Sequence, residues 1–211
     1  MPDMEIKKLS IVIPAYNEAA TIHLILNKVK AVNLVQGISK EVIIVNDCSK
    51  DATEEAIQRY MSENPDLNIQ YFKHEVNQGK GAALHTGISK ATGEFLIIQD
   101  ADLEYDPKEY NKLLMPVLDG FADVVYGSRF IGGNPHRILF FWHTIGNKFL
   151  TMLSNMFSDK NLTDMETCYK LFNTKMIQGI KLKENGLGLN QKSPRKSAEF
   201  QKSECTKWGF P

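Results

Sequence analysis

The most concentrated group of candidate catalytic side chains is the string Gln99-Asp100-Ala101-Asp102-Leu103-Glu104, directly after the apolar run Phe95–Ile98. The carboxylates of Asp100 and Asp102 can converge on one hard divalent cation that also binds phosphate oxygens. A diphosphate leaving group needs such a cation. The alternative is a solvated loop, since short Asp-x-Asp strings are common, but the position after a predicted buried strand favours the metal site.

Two more polar strings follow apolar runs: Ile13-Pro14-Ala15-Tyr16-Asn17-Glu18 and Val45-Asn46-Asp47-Cys48-Ser49-Lys50-Asp51. The ring of Tyr16 can stack on a base, and carboxylates can accept hydrogen bonds from ribose hydroxyls or a base N–H. The alternative is ordinary turn chemistry, in which Asn17 and Asp51 cap the helices that follow them.

A fourth string, Asn77-Gln78-Gly79-Lys80-Gly81-Ala82-Ala83, opens a predicted helix with small residues and a lysine. This pattern suits close approach of the backbone to phosphates at a helix N-terminus. It lacks the spacing of a Walker P-loop.

A parallel sheet would position these strings. Short apolar runs predict strands, and apolar residues at helical spacing between them predict helices, which together indicate βαβ units. Ligands of such sheets bind beyond the carboxyl ends of the strands, where the polar strings lie. The predicted strands are Leu9–Ile13, Val42–Val45, Ile69–Phe72, Phe95–Ile98 and Val124–Tyr126, and the predicted helices are Glu18–Ala31, Ala52–Met61, Lys80–Ala91 and Pro107–Leu118.

A different pattern covers Ile138–Phe157, which is rich in Phe, Leu and Met but keeps a polar stripe that includes Lys148. The stripe argues against a membrane-spanning helix. Two interpretations stay open: a buried core helix, or an amphipathic helix in the lipid headgroup region.

Composition narrows the function classes. The 211 residues fit one domain, and 25 basic residues balance 25 acidic ones, so no bulk field favours nucleic acid. Three cysteines without Cys-x-x-Cys spacing fit a reducing compartment. The first residues lack the pattern of a signal peptide, so the expected location is cytoplasmic.

Taken together, these strings resemble the family 2 glycosyltransferases, and within them the dolichyl-phosphate mannose synthase-like branch. The strings I-P-A-Y-N-E, V-N-D-x-S-x-D, N-x-G-K-G-A-A, Q-D-A-D-L-x-Y-D-P and V-x-G-S-R occur here in order. The likeness continues through Pro135-His136-Arg137 and Leu162–Lys170 and covers about Leu9 to Asn185.

The resemblance implies a GT-A fold, a Rossmann-like, mostly parallel sheet flanked by helices, with residues 1–185 as the catalytic domain. It implies Mg²⁺ or Mn²⁺ on Asp100 and Asp102, with Glu104 as a third ligand. Arg129 and Arg137 match positions that grip the acceptor phosphate; a surface salt bridge is the alternative for each. Asp100, Asp102 and Arg129 are the catalytic candidates. The donor-binding candidates are Pro14, Ala15, Tyr16, Glu18, Asp47, Lys80, Gln99, Asp100, Ala101 and Asp102.

The implied reaction moves a sugar with inversion from a nucleotide sugar, GDP-mannose or a UDP-sugar, to a polyprenyl or dolichyl phosphate. The partners would be the donor, the lipid acceptor and the inner face of a membrane, bound peripherally, with no nucleic acid. A sugar-phosphate nucleotidyltransferase is a rival, but it should open with a G-x-G-T-R-L loop that this chain lacks. A third reading is a truncated, non-catalytic nucleotide-sugar-binding remnant.

The resemblance ends at Asn185. Relatives continue R-F-G-F-E-P-E-I-T-A-K-I, whereas residues 186–211 are polar and without pattern. If one base was lost after the Asn185 codon, the displaced frame can encode that family string. We therefore expect residues 186–211 to be an out-of-frame, disordered tail; the alternative is coincidence, because the choice of third bases is free.

The coding DNA tests this expectation. The displaced frame should stay open through the codons for residues 186–211 and continue past the stop codon into further family-like sequence. The gene sequence decides whether a base was lost. A displaced frame that stops early or encodes unrelated residues would show that the match to the family string came only from the free choice of third bases.

Overall fold

Strands and helices alternate along the chain as predicted. In the structure, a computed structural model that describes residues 6–103, 105–126 and 169–179, all five predicted strands are present. The strands are β1 (Lys8–Ala15), β2 (Ser39–Asn46), β3 (Ile69–Lys73), β4 (Phe95–Ile98), β5 (Val124–Tyr126) and β6 (Lys170–Asn173). The helices are α1 (Ile22–Ala31), α2 (Thr53–Glu63), α3 (Lys80–Lys90), α4 (Tyr110–Leu118) and α5 (Thr174–Gly179), with 3₁₀ turns at Val35–Gly37 and Pro107–Glu109.

The described strands form one sheet in the order β3-β2-β1-β4-β6-β5. β1 pairs in parallel with β2 and β4, and β2 pairs in parallel with β3. The sixth strand, β6, was not predicted, and it runs antiparallel to both β4 and β5. The predicted α/β class, with a mostly parallel sheet flanked by helices, is confirmed.

The central strands are buried on both faces. Along β1, Leu9, Ile11 and Ile13 belong to one continuous apolar core with residues of α1 and α4, and they are fully buried. The intervening Val12 faces α3, because a Cβ added at Gly87 of that helix would lie 2.3 Å from Val12 Cγ1. Glycine at 87 therefore lets α3 pack close to the sheet, which brings the N-terminus of the helix to the carboxyl ends of β1 and β2.

Helix α1 begins later than predicted, at Ile22 rather than Glu18. The reason is that the loop before it is bonded to the loop after β2. The backbone amide of Glu18 donates to Thr53 Oγ1 (2.8 Å), and that of Ala19 donates to Asp51 Oδ2 (3.2 Å). These tertiary hydrogen bonds hold the segment in a non-helical conformation.

A buried carboxylate, Glu41, organises the amino ends of the strands. It is 1% exposed and accepts hydrogen bonds from Ser10 Oγ (2.6 Å), Gln70 Nε2 (2.9 Å), Thr92 N (3.0 Å) and Thr92 Oγ1 (2.7 Å). Ser10 Oγ in turn accepts from Gly93 N at 2.9 Å. The network ties β1, β2, β3 and the turn before β4 together at the edge opposite the polar strings.

The hydrogen bonds decide the ionisation of Glu41. Burial raises the pKa of its carboxyl, but the hydrogen bonds from Ser10 and Thr92, helped by the charge of Lys8, outweigh burial and leave the pKa below its ordinary value of 4.5. A carboxyl with a depressed folded-state pKa stabilises the fold above its unfolded-state pKa. That stabilisation is lost as the pH falls through the folded-state pKa.

We therefore expect Glu41→Gln to lower the free energy of unfolding by about 1–3 kcal/mol at neutral pH. The N–H groups of the glutamine side chain would face the donors that bond the Glu41 carboxylate in the wild type. The gap between the variant and the wild type should narrow as the pH falls below 4.5. Urea denaturation at several pH values measures both quantities. Glu63→Gln, at an exposed position of α2, is the control, and a gap that stays constant with pH would contradict the assignment.

Candidate active site

The loops after β1, β2 and β4 meet the N-terminal end of α3 around a cleft of about 300 Å³. This is the edge of the sheet at which ligands of open parallel sheets bind. The structure brings most of the predicted donor-binding residues together here. Those that line the cleft are Pro14, Ala15, Tyr16, Glu18, Asp47, Lys80, Asp100, Ala101 and Asp102.

Gln99 is the predicted donor-binding residue that the structure places elsewhere. Its side chain is fully buried beneath the cleft, where Oε1 accepts from the hydroxyls of Tyr110 (2.8 Å) and Tyr169 (2.9 Å). Its Nε2 donates to the carbonyl oxygens of Asp100 (2.9 Å) and Tyr105 (3.4 Å). Gln99 therefore holds the Asp-x-Asp loop through its backbone, and it is not among the residues that line the cleft.

The loops after β1 and β2 are tied to each other by side chains. Asn17 Oδ1 accepts from Lys50 N (2.8 Å), while Asn17 N donates to Ser49 Oγ (3.0 Å). Asp51 Oδ1 accepts from Thr53 N at the start of α2 (3.1 Å), and Asp51 Oδ2 accepts from Ala19 N. Asn17 therefore does not cap α1, since its side chain bonds the loop after β2, whereas Asp51 accepts from the first residue of α2, as the capping alternative expects.

Left-handed backbone is concentrated at the same edge. Asn17, Cys48 and Leu103 have φ values of 58°, 57° and 63°, and each lies in a loop that follows a strand; the fourth such non-glycine residue among those described, Gln36, lies in the 3₁₀ turn before β2. A non-glycine residue in this region costs about 1–2 kcal/mol. Such conformations persist only where neighbouring bonds hold them, and they are common at functional sites. The strain supports this edge as the functional one.

Asp47 is a cleft acid with several hydrogen-bond donors around it. It is 2% exposed. Its Oδ1 accepts from His74 Nδ1 (2.7 Å) and Gln78 N (2.9 Å), and its Oδ2 accepts from Gly79 N (2.7 Å). Its carbonyl oxygen accepts from Asn77 Nδ2 at 3.1 Å. Two backbone amides that the sequence offered to a phosphate are therefore already bonded to this carboxylate.

His74 links Asp47 to α3. Because a carboxylate only accepts hydrogen bonds, His74 Nδ1 is the donor, and in the neutral ring Nε2 then accepts from the hydroxyl of Thr86, 2.9 Å away. Sequence reasoning missed both residues. Asn77, Gly79 and Ala83, which line the cleft, belong to the string that the sequence predicted to approach phosphates. His74 directly follows the observed β3 but lies two residues beyond the predicted strand Ile69–Phe72, so only inspection of the first two residues after each predicted strand would have found it.

The Asp-x-Asp carboxylates lie at the end of β4. Asp100 is 6% exposed, and its Oδ1 lies 2.7 Å from Lys80 Nζ. Asp102 lines the same cleft and is exposed. Within the described residues, no group of three or more His, Cys, Asp or Glu side chains is arranged to hold a metal. Proteins commonly hold Mg²⁺ with one or two carboxylates together with substrate phosphates, and not in a cage made of protein ligands alone. The two carboxylates of Asp100 and Asp102 fit Mg²⁺ or Mn²⁺ held in that way.

Several predicted features lie outside the described residues. They are the third metal ligand Glu104, the acceptor-phosphate residues Arg129 and Arg137, the helix at 138–157 and the tail at 186–211.

The order of these elements and the position of the cleft agree with the comparison to known families. A model described as glycosyl transferase family 2 matches residues 10–180. The chain belongs to glycosyl transferase family 2. The match includes every strand and loop that forms the cleft.

Two similar curated proteins are named as transferases of dolichol phosphate. The dolichol-phosphate mannosyltransferase of Pyrococcus furiosus is 25% identical over 181 residues, which are 85% of this chain and 50% of that protein. The dolichyl-phosphate beta-glucosyltransferase of Dictyostelium discoideum is 33% identical over 131 residues, 57% of this chain and 39% of that protein. The chain thus spans half or less of the length of these relatives.

Solved structures show the same fold at lower identity. A mannosyltransferase from Pyrobaculum calidifontis in complex with GDP-Man and Mn²⁺ aligns with a TM-score of 0.56 and 20% identity, covering 84% of this chain and 47% of that one. Glucosyl-3-phosphoglycerate synthase from Mycobacterium tuberculosis, in complex with Mn²⁺ and UDP, aligns with a TM-score of 0.59 and 19% identity, covering 81% and 58%. The predicted GT-A fold is confirmed. None of the helices in the described stretches is long and apolar enough to cross a bilayer.

The bond between His74 and Asp47 gives a testable prediction. His74→Ala removes one donor from the buried Asp47 and one acceptor from Thr86, so it should lower the free energy of unfolding by about 1–3 kcal/mol. His74→Asn can return an N–H to Asp47 and should recover part of the loss.

Urea denaturation measures both variants, and His23→Ala, at an exposed position of α1, is the matched control. Equal stability of the alanine variant and the wild type would show that the Asp47 carboxylate does not need this donor.

Proposed function

We propose that this chain carries the donor side of a metal-dependent, inverting glycosyltransferase that moves a sugar from GDP-mannose or a UDP-sugar to a polyprenyl or dolichyl phosphate. The observation that carries the proposal is the placement of Asp100 and Asp102 at the end of β4, in one cleft with Tyr16 and Asp47. The curated relatives, which are named for transfer to dolichol or undecaprenyl phosphate, support the choice of acceptor.

The nucleotide would occupy the side of the cleft formed by the loops after β1 and β2. Tyr16 is 42% exposed, so its ring is available to stack on a base. Glu18 lines the cleft and offers a carboxylate for ribose hydroxyls. Asp47 would act differently from the sequence-based expectation, because its oxygens already bond His74, Gln78 and Gly79. Its contribution would be to hold the loop that bounds the nucleotide.

Asp100 and Asp102 would hold the metal, Mg²⁺ or Mn²⁺, against the donor diphosphate. When bound, the cation would neutralise the charge that develops on the leaving nucleoside diphosphate. Gln99 would keep the two acids in place, because its amide is fixed by two tyrosine hydroxyls and donates to the backbone of Asp100.

The transfer itself needs little acid or base chemistry. A phosphate oxygen of the acceptor attacks the anomeric carbon, the bond from that carbon to the donor diphosphate breaks, and the leaving group keeps the electron pair. The acceptor is already an anion at neutral pH, so no proton has to be removed, and positioning with charge screening carries the catalysis. We assign the acceptor phosphate to Arg129 and Arg137, whose guanidinium groups suit bidentate contacts, and place the enzyme peripherally at the cytoplasmic face of the membrane.

Loss of either acid tests the metal assignment. Asp100→Asn and Asp102→Asn should each weaken Mn²⁺-dependent binding of UDP or GDP by about tenfold or more, because each removes a charged ligand from a hard-cation site. Isothermal titration calorimetry with and without Mn²⁺ measures the effect. Asp66→Asn, at an exposed acid paired with Lys30 outside the cleft, is the control. Unchanged affinity in both cleft variants would rule out the site.

A donor panel tests the reaction. The chain, and a longer form with the frame restored after Asn185, would be incubated with GDP-mannose, UDP-glucose or UDP-N-acetylglucosamine, with and without a polyprenyl phosphate. Release of nucleoside diphosphate that depends on the lipid supports the proposal. Nucleotide binding without release in either form would support the non-catalytic alternative.

A further inference from the structure

Lys80 lies at the N-terminus of α3, where a positive charge is unfavourable for a helix. Lys80 is the first residue of α3, after Gly79 at the N-cap, and the first turn of this helix contains no acidic residue. The N-terminus of a helix carries partial positive charge, so a lysine there is unfavourable for the helix itself. Its placement therefore needs a reason outside the helix.

The acid at the end of β4 supplies that reason. Lys80 Nζ lies 2.7 Å from Asp100 Oδ1, with the Asp100 side chain 8% exposed and the Lys80 side chain 38% exposed. A carboxylate so far from water needs a partner of opposite charge. The ion pair joins the first turn of α3 to the loop that follows β4.

The two partners of this pair differ in freedom. Asp100 is held from below, because its backbone carbonyl accepts from the buried amide of Gln99. Lys80 has a flexible four-carbon stem and a partly exposed head, so the ammonium can move while the carboxylate stays. A divalent cation on Asp100 would compete with the ammonium for the same oxygen atom.

From this geometry we infer that Lys80 is an exchangeable counter-ion: it neutralises Asp100 in the donor-free chain and moves to the donor diphosphate when the metal binds Asp100. The inference rests on the proposed function. Each phosphate of a nucleotide-sugar donor carries a negative charge, and the departing nucleoside diphosphate gains another. The displaced ammonium would therefore meet the charge that grows as the sugar leaves.

The exchange predicts opposite effects of one substitution on two ligands. Lys80→Met should bind Mn²⁺ alone about threefold to tenfold more tightly than the wild type, because a competing and repelling cation is gone. The same variant should bind UDP or GDP at saturating Mn²⁺ several-fold more weakly. A lysine whose only role is to shape the cleft would not raise metal affinity when removed.

The experiment uses the 211-residue chain at a fixed neutral pH. Isothermal titration calorimetry gives Mn²⁺ affinity without nucleotide and nucleoside diphosphate affinity with Mn²⁺. Lys90→Met is the matched control, because it removes the same charge from the last turn of the same helix. At about 1.5 Å of rise per residue it lies roughly 15 Å from Lys80, and neither affinity should change. Lys80→Gln serves as a second variant that keeps a polar side chain.

The possible outcomes distinguish failure of the Lys80 exchange from failure of the proposed function. A wild-type chain that binds no nucleoside diphosphate with Mn²⁺ contradicts the proposed function and removes the basis of the exchange. If the wild-type chain binds nucleoside diphosphate with Mn²⁺ but both Lys80 variants bind Mn²⁺ with unchanged or weaker affinity, the exchange is overturned and the proposed function stands. The same holds if both variants bind nucleoside diphosphate with unchanged affinity. If circular dichroism shows that both variants unfold, the ion pair is a structural requirement, and the exchange is overturned.

Discussion

The carboxylate of Asp47 is the contact on which the geometry of the cleft depends. It lies at the end of β2, almost without exposure, and it receives one hydrogen bond from a side chain and two from backbone amides. Through these bonds the segment after β3 and the turn before α3 are held against β2. Hydrogen bonds inside a protein are strong, and an unpaired buried carboxylate is costly, so this arrangement has few alternatives. The position of Lys80, one residue beyond Gly79, follows from it.

The buried acids of the described residues fall into two groups that differ in their partners. Glu41 and Asp47 accept hydrogen bonds from backbone amides, which cannot move away without disrupting a loop. Asp100 is paired with the ammonium of a long, partly exposed side chain, which can. This difference separates acids that support the fold from the acid for which we infer an exchange of partners. It also explains why the chemistry is assigned to the end of β4 although the ends of β1 and β2 are equally polar.

The Asp-x-Asp loop is fixed by parts of the chain that are distant in sequence. The β6 strand pairs with β4, and Tyr169, just before it, donates a hydrogen bond to Gln99 together with Tyr110. Burial raises the pKa of both phenols well above its ordinary value, so both remain donors at any physiological pH. One buried amide thus couples the Asp-x-Asp loop to α4 and to the segment that returns after residue 168. Leu103 can hold its left-handed backbone because this loop is restrained from below.

The sequence alone determined the fold class and the edge of the sheet at which the cleft lies. The apolar runs before Pro14, Asn46 and Gln99 are nearly continuous, which is typical of parallel strands buried on both faces. The polar strings at the ends of these strands could therefore be assigned to one cleft. What tertiary structure decided is which of these polar groups face the cleft. From the sequence, the side chain of Gln99 could equally face a ligand in the cleft or the two buried tyrosines. The packing of α4 and of the segment that leads into β6 selects the tyrosines. His74 gains its role from Asp47, which is 27 positions earlier in the chain. Local sequence encodes backbone preference and burial, whereas the partner of a polar side chain is set by contacts between distant segments, which no local pattern specifies.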